Sequence, residues 1–299
     1  MSRSHVGMFE TLQSNPNAAM PLRVTDPRSA LRGLTLVGCI KMCPRPPSVL
    51  ILPWHGLIIC QSRLPTWMEL DPAPRRMRIF ELLLVTSVAF AGPVYGSFYY
   101  FLGGAAVPPN AGQHIYSLLN ELLGLSVLAY VLFRQGRGAG DIGFGFHWRD
   151  IPRALAVAGV GYVAFYVCFL AIYYGWFALS GTVLTAPDLG VRVFGARFNW
   201  SALILALINP FFEELIVRAY LMTEVKFLGG SAALSIAASV GLQTSYHLYQ
   251  GMLLALAEAA LFLVFALYFN RSRMIMPVVL AHMFFDVLSW LYYGLVGKI

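Results

Sequence analysis

Between residues 79 and 295 the chain is a succession of long, nearly continuous apolar runs joined by short polar connections, and this restricts its fold more than any other feature. Backbone surrounded by hydrocarbon must satisfy its own N–H and C=O groups, which leaves helices or closed barrels. Barrel strands are stretches of about ten residues of alternating polarity, and these runs neither alternate nor stop at that length. They predict an all-α, polytopic helical membrane protein with about seven transmembrane helices, over 79–102, 115–133, 154–179, 200–222, 232–246, 252–269 and 274–295. The fifth run is short, the usual sign of a broken or buried helix. Composition agrees, since 12% charged residues is about half of what a soluble domain carries.

The net charge of +7 raises the question of nucleic acid, and the placement of the charge answers it. Ten of the 21 Lys and Arg lie at or before Arg78, against four acids, and no recognisable nucleic-acid module accompanies them. A basic segment beside a first membrane helix fixes orientation or meets anionic lipid, so membrane lipid is the expected partner and nucleic acid is not. Residues 1–75 are rich in Pro, Arg and Ser and hold no sustained helical period. They read as a disordered N-terminal extension, or as an upstream start with the real beginning near Met68 or Met77; a regulatory tail is the alternative. Residues 76–299 then make the transmembrane domain. The four cysteines, Cys39, Cys43, Cys60 and Cys168, have no metal-like spacing and read as incidental.

Loop charges orient the bundle. Arg75, Arg76, Arg78, Arg134, Arg137, Arg149, Arg153, Arg271 and Arg273 would lie on one side, with only Arg192, Arg197 and Lys298 opposite. The positive-inside rule puts the first side in the cytosol and, with seven spans, the end of the last helix outside. A multi-pass position in a bacterial inner or plasma membrane is expected, ahead of the endoplasmic reticulum.

Against this apolar background a few ionisable residues stand out, because each costs several kcal/mol in hydrocarbon unless paired. Glu213, Glu214 and Arg218 lie within one run. Glu214 and Arg218 are four apart with the acid first, the spacing of a helical ion pair. Glu213 points about 100° away and is left without that partner, as a general base would be. His247 ends the fifth run, and His282 and Asp286, again four apart, share a face of the last. A carboxylate that orients a histidine is the common arrangement in both catalysis and metal binding. Counted along straight helices, His247 lies ~22 Å from the cytosolic end of its run and His282 only ~12 Å. A break in the fifth helix near Gly241 is therefore expected, to bring the two histidines level.

The run FFEELIVRAYL, with Glu213, Glu214 and Arg218, resembles the EExxxR motif of the CPBP family, the CAAX proteases and bacteriocin-processing enzymes, also called the ABI or type II CAAX prenyl endopeptidase family. The family's FxxxH motif would place its histidine at His247, and its HxxxN or HxxxD motif fits His282 and Asp286. The match covers residues 209–288, with all three motifs in order. Two positions depart from the usual pattern: Gln243 stands where relatives carry phenylalanine, and Asp286 where many carry asparagine. The resemblance implies an intramembrane endopeptidase, CAAX-protease-like, acting on a membrane-anchored or lipidated substrate without a cofactor. In that scheme Glu213 and His247 activate water, His282 and Asp286 face the oxyanion, and Glu214 and Arg218 hold the site together.

Three alternatives stay open at this level. Zinc held by Glu213, His247 and His282, with Asp286 behind, would make a metal-dependent membrane protease, although no HExxH helix is present. A membrane immunity or scaffold protein of the same fold would have no activity. Glu121 and Glu258, with Asn120 and His114, would be the path of a transporter; otherwise Glu258 faces the same site and Glu121 pairs with a neighbour.

Overall fold

The computed structural model of the chain describes residues 74–104, 110–183 and 200–296. Contacts divide the chain into two units, Met1–Leu64 and Pro65–Ile299, and every described residue belongs to the second. The extension expected over 1–75 thus lies, but for its last two residues, outside the described residues, as do Cys39, Cys43 and Cys60.

Among the described residues seven long helical elements follow one another: α1 (Arg75–Phe101), α2 (Ala111–Arg134), α3 (Asp150–Ser180), α4 (Trp200–Phe227), α5 (Ala232–His247), α6 (Met252–Ser272) and α7 (Met276–Val296). All but α5 are long and apolar enough to cross a membrane, and the chain is an integral, multi-pass helical membrane protein. Of the seven expected spans, the one that falls short is the fifth, α5. It is a helix, but its 16 residues reach only ~24 Å, short of a hydrocarbon core of about 30 Å. It is also unbroken, running through Gly241 without interruption, which corrects the expected break. The helix ends carry ordinary local signals. Asn110 and Gln113 form a reciprocal capping box at the start of α2. Ser231 accepts the amide of Leu234 to open α5.

Small residues let the helices approach closely where the site is built. A Cβ at Gly124 on α2 would lie 2.7 Å from the Phe212 ring of α4, and one at Gly161 on α3 would lie 2.3 Å from Leu261 on α6. Between the helices, Phe90 of α1 packs its ring 4.8 Å from Tyr246 of α5 and 5.1 Å from Phe212.

One end of the bundle is tied together by charge. Fully buried Glu224 on α4 takes Arg78 of α1 on one oxygen, at 3.3 Å, and Arg137, beyond α2, on the other. Glu81 pairs with Arg134 and accepts from Gln135. Arg75 donates to the Leu228 carbonyl, and Arg273 to Thr223. These contacts place the start of α1, the end of α2, the end of α4 and the α6–α7 turn on one side. The same side gathers the cations that the loop charges assign to the cytosol. The α6–α7 turn is drawn inward there: Ile275 is fully buried and its amide donates to the Gly143 carbonyl at 3.1 Å.

Candidate active site

Pro210 lies in the middle of α4, and four residues later the helix changes character. Glu214–Tyr220 is wound as a π segment, with hydrogen bonds one residue longer than in an α-helix. The wider turn rotates the chain less per residue, so neighbouring side chains diverge less. Glu213 and Glu214 both point inward, 6% and 0% exposed. The ion pair expected on an α-helical face is formed on this π segment instead. The Nη1 of Arg218 lies 2.7 and 2.8 Å from the two carboxylate oxygens of Glu214. The guanidinium sits over Phe262 and Phe265, 5.6 and 5.4 Å from their ring centres.

Glu213 is not the isolated carboxylate that the sequence suggests. Asn209 donates to its Oε1 at 2.9 Å, while Gln243 at 2.9 Å and the Tyr246 hydroxyl at 2.8 Å donate to its Oε2. Neither Asn209 nor Tyr246 was singled out from sequence. Asn209 is four residues before Glu213, the same spacing that reveals the Glu214–Arg218 pair, so its signal was present. Tyr246 had none, because the contact joins two distant helices. Gln243, read only as a departure from the motif, also accepts from Arg218 and so links the ion pair to Glu213.

Both histidines reach this centre. His282 pairs through Nδ1 with Glu214 at 2.7 Å, and its Nε2 lies 3.7 Å from Asp286. His247 is held by its own helix, Nδ1 being 2.9 Å from the Gln243 carbonyl, and its ring packs against Phe262 and Tyr246. The depth problem resolves without a break. Glu213 is 14 residues from Phe227, ~21 Å, which matches His247 at ~22 Å from Ala232. The shorter rise to His282 is made up at its base, because the α6–α7 turn meets Thr223, one turn inside the end of α4.

Two acids on these helices are only partly buried. The Asp286 side chain is 28% exposed, yet it lies on the face of α7 opposite the outward Phe284, Leu288 and Leu291. Glu258 is likewise half-buried on the face of α6 opposite Leu256, Leu263 and Leu267. Glu258 interacts electrostatically with His247 and His282, and buried Glu121 with Glu213 and Asp286. The pairing expected for Glu121 does not close: its Oε2 has no hydrogen-bond partner among the described residues. His114 instead contacts Ser201 near the far ends of α2 and α4.

Among the described residues no three His, Cys, Asp or Glu side chains converge as a metal set. Both Glu213 oxygens already accept from protein donors.

Fold and centre together define a membrane-embedded helical protein with its ionisable groups gathered inside the bundle. Residues 195–288 match the model of the family described as type II CAAX prenyl endopeptidase Rce1-like. The matched stretch spans α4 to α7 as far as Leu288 and holds all three motifs. Comparison with curated proteins and with solved structures returns no match.

Proposed function

We propose that the chain is an intramembrane endopeptidase that hydrolyses a peptide bond in a membrane-anchored or lipid-modified substrate, using water activated by Glu213 and His247. The observation that carries the reading is the meeting of α4, α5 and α7 at one buried polar centre, in which the Glu213 carboxylate is held purely as an acceptor by three donors. Amide hydrolysis asks for a base, an oxyanion partner and a confined water. Glu213 takes a proton from the water as the water oxygen bonds to the scissile carbonyl carbon. It then returns that proton to the departing amine nitrogen as the C–N bond breaks. His247, engaged at Nδ1 by its own helix, keeps Nε2 for the same water. His282, in this scheme an imidazolium with both ring nitrogens protonated, donates to Glu214 from Nδ1 and offers its Nε2 proton to the oxyanion, since 3.7 Å to Asp286 is too long for a hydrogen bond. Asp286 is then a countercharge for His282 and need not itself donate. No metal takes part in this scheme, and hydrolysis is expected to persist in chelator.

The test compares the peptides that accumulate in membranes of cells carrying the native chain with those carrying Glu213→Gln. Removal of a general base lowers turnover by roughly 10²–10⁴-fold, so fragments present with the native chain should vanish with the variant. Equal profiles, with both proteins folded and expressed alike, would overturn the reading in favour of a non-catalytic membrane scaffold.

A further inference from the structure

The sharpest difference between this chain and the motif it resembles is at Gln243, and the structure gives that difference a job. Gln243 is fully buried on α5, where a side-chain amide without partners would be costly. Its two ends are told apart by what they meet. Arg218 has only donors to offer, so the amide oxygen faces it; the Glu213 carboxylate accepts, so the amide nitrogen faces that. One side chain thus continues a chain of contacts from His282 through Glu214 and Arg218 to Glu213. Phenylalanine at this position would leave Arg218 and Glu213 each one partner short.

We propose that Gln243 is a positioning residue: it fixes the Glu213 carboxylate by donating to Oε2, and it sets that carboxylate in register with the His282 side of the site through Arg218. Glu213 then has one oxygen doubly anchored, by Gln243 and Tyr246, and the other held only by Asn209. The less encumbered Oε1 is the oxygen left to address water. The kinetic part of this proposal rests on the endopeptidase reading; the hydrogen bond itself does not.

The test therefore has two readouts on the full chain in detergent micelles. Infrared difference spectra between the native chain and Glu213→Gln identify the Glu213 carboxylate stretch. Gln243→Met, nearly the same size but without donor or acceptor, is expected to displace that band. Gln243→Glu keeps a partner for Arg218 but sets a second carboxyl against Oε2, and it should displace the band as well, so the measurement survives if the methionine variant does not fold. A Glu213 band unmoved in the folded variants overturns the proposal. On an internally quenched lipopeptide the methionine variant should lose about 10- to 100-fold in kcat with KM within about twofold, the pattern of a misplaced reacting group. Loss in KM alone, or no loss, also overturns it. A band displaced in the Gln243 variants, with a native chain that cleaves no peptide, would sink the endopeptidase reading and leave Gln243 in its place.

Discussion

A buried carboxylate is expensive, and among the residues discussed above this chain buries three, Glu213, Glu214 and Glu121, with Asp286 and Glu258 partly buried. Glu214 is neutralised by Arg218 and His282, so its loss should be structural. Glu214→Ala leaves the fully buried Arg218 without its countercharge and is expected to cost about 3–5 kcal/mol, seen as a collapse of thermal stability in micelles. Asp286 behaves differently, because its side chain is partly exposed and contacts His282 only at 3.7 Å. Asp286→Asn should fold and keep activity within about tenfold, its amide now able to donate, whereas His282→Ala should lose about 100-fold or more as an oxyanion donor. Equal losses in the two variants would show that Asp286 does more than face His282. Much of this was legible one residue at a time, since an acid or imidazole in an apolar run announces itself. What was not legible was the company each keeps. Tyr246 and Gln243 reach Glu213 from another helix, and a tyrosine or glutamine near a helix end carries no local mark of such a contact.

At the scale of the element, apolar length located every helix but not its internal state. The π segment Glu214–Tyr220 has no periodic signature, because the residues that fill it would serve an α-helix as well. The expected break in α5 came from counting heights along helices assumed to start level, and the α6–α7 turn does not start level. Gly241 provides the direct check. A Cβ there meets nothing within 4 Å, and the helix continues through it. Gly241→Ala should stabilise the protein by roughly 0.5–1 kcal/mol, measured as a raised Tm, whereas a lowered Tm would mean that α5 bends there after all. Gly124 is the opposite case. Gly124→Val drives a side chain into the rigid Phe212 ring, next to Glu213, and should cost about 1–3 kcal/mol along with activity.

Across the whole molecule, charge and exposure separate cleanly. The arginine-rich end is closed by Arg78, Arg137 and Glu224, and toward it α4, α6 and α7 pack Val217, Met222, Phe269 and Val278 with no exposure. Asp286 and Glu258, both partly buried, lie away from that end, beyond His282 on α7 and in the first half of α6. Cysteines placed at Gly140 and at Val183, in a chain with its four native cysteines replaced by serine, should react with a membrane-impermeant thiol reagent from opposite faces, Gly140 from the cytosol. Ser289→Cys, one turn beyond Asp286 on the same face, should label from the Val183 face only. Labelling of Ser289→Cys from the Gly140 face would reverse the assigned access.

The closed arginine end has a further consequence for the cell that houses this protein. Water admitted to mid-bilayer carboxylates is an invitation to leak protons, and a hydrolytic centre open at both ends would discharge the membrane potential across roughly 30 Å of protein. Glu224 clamps α1 to α4 at that end through Arg78 and Arg137, and liposomes containing the chain should hold a pH gradient as long as empty ones do if those pairs keep the end shut.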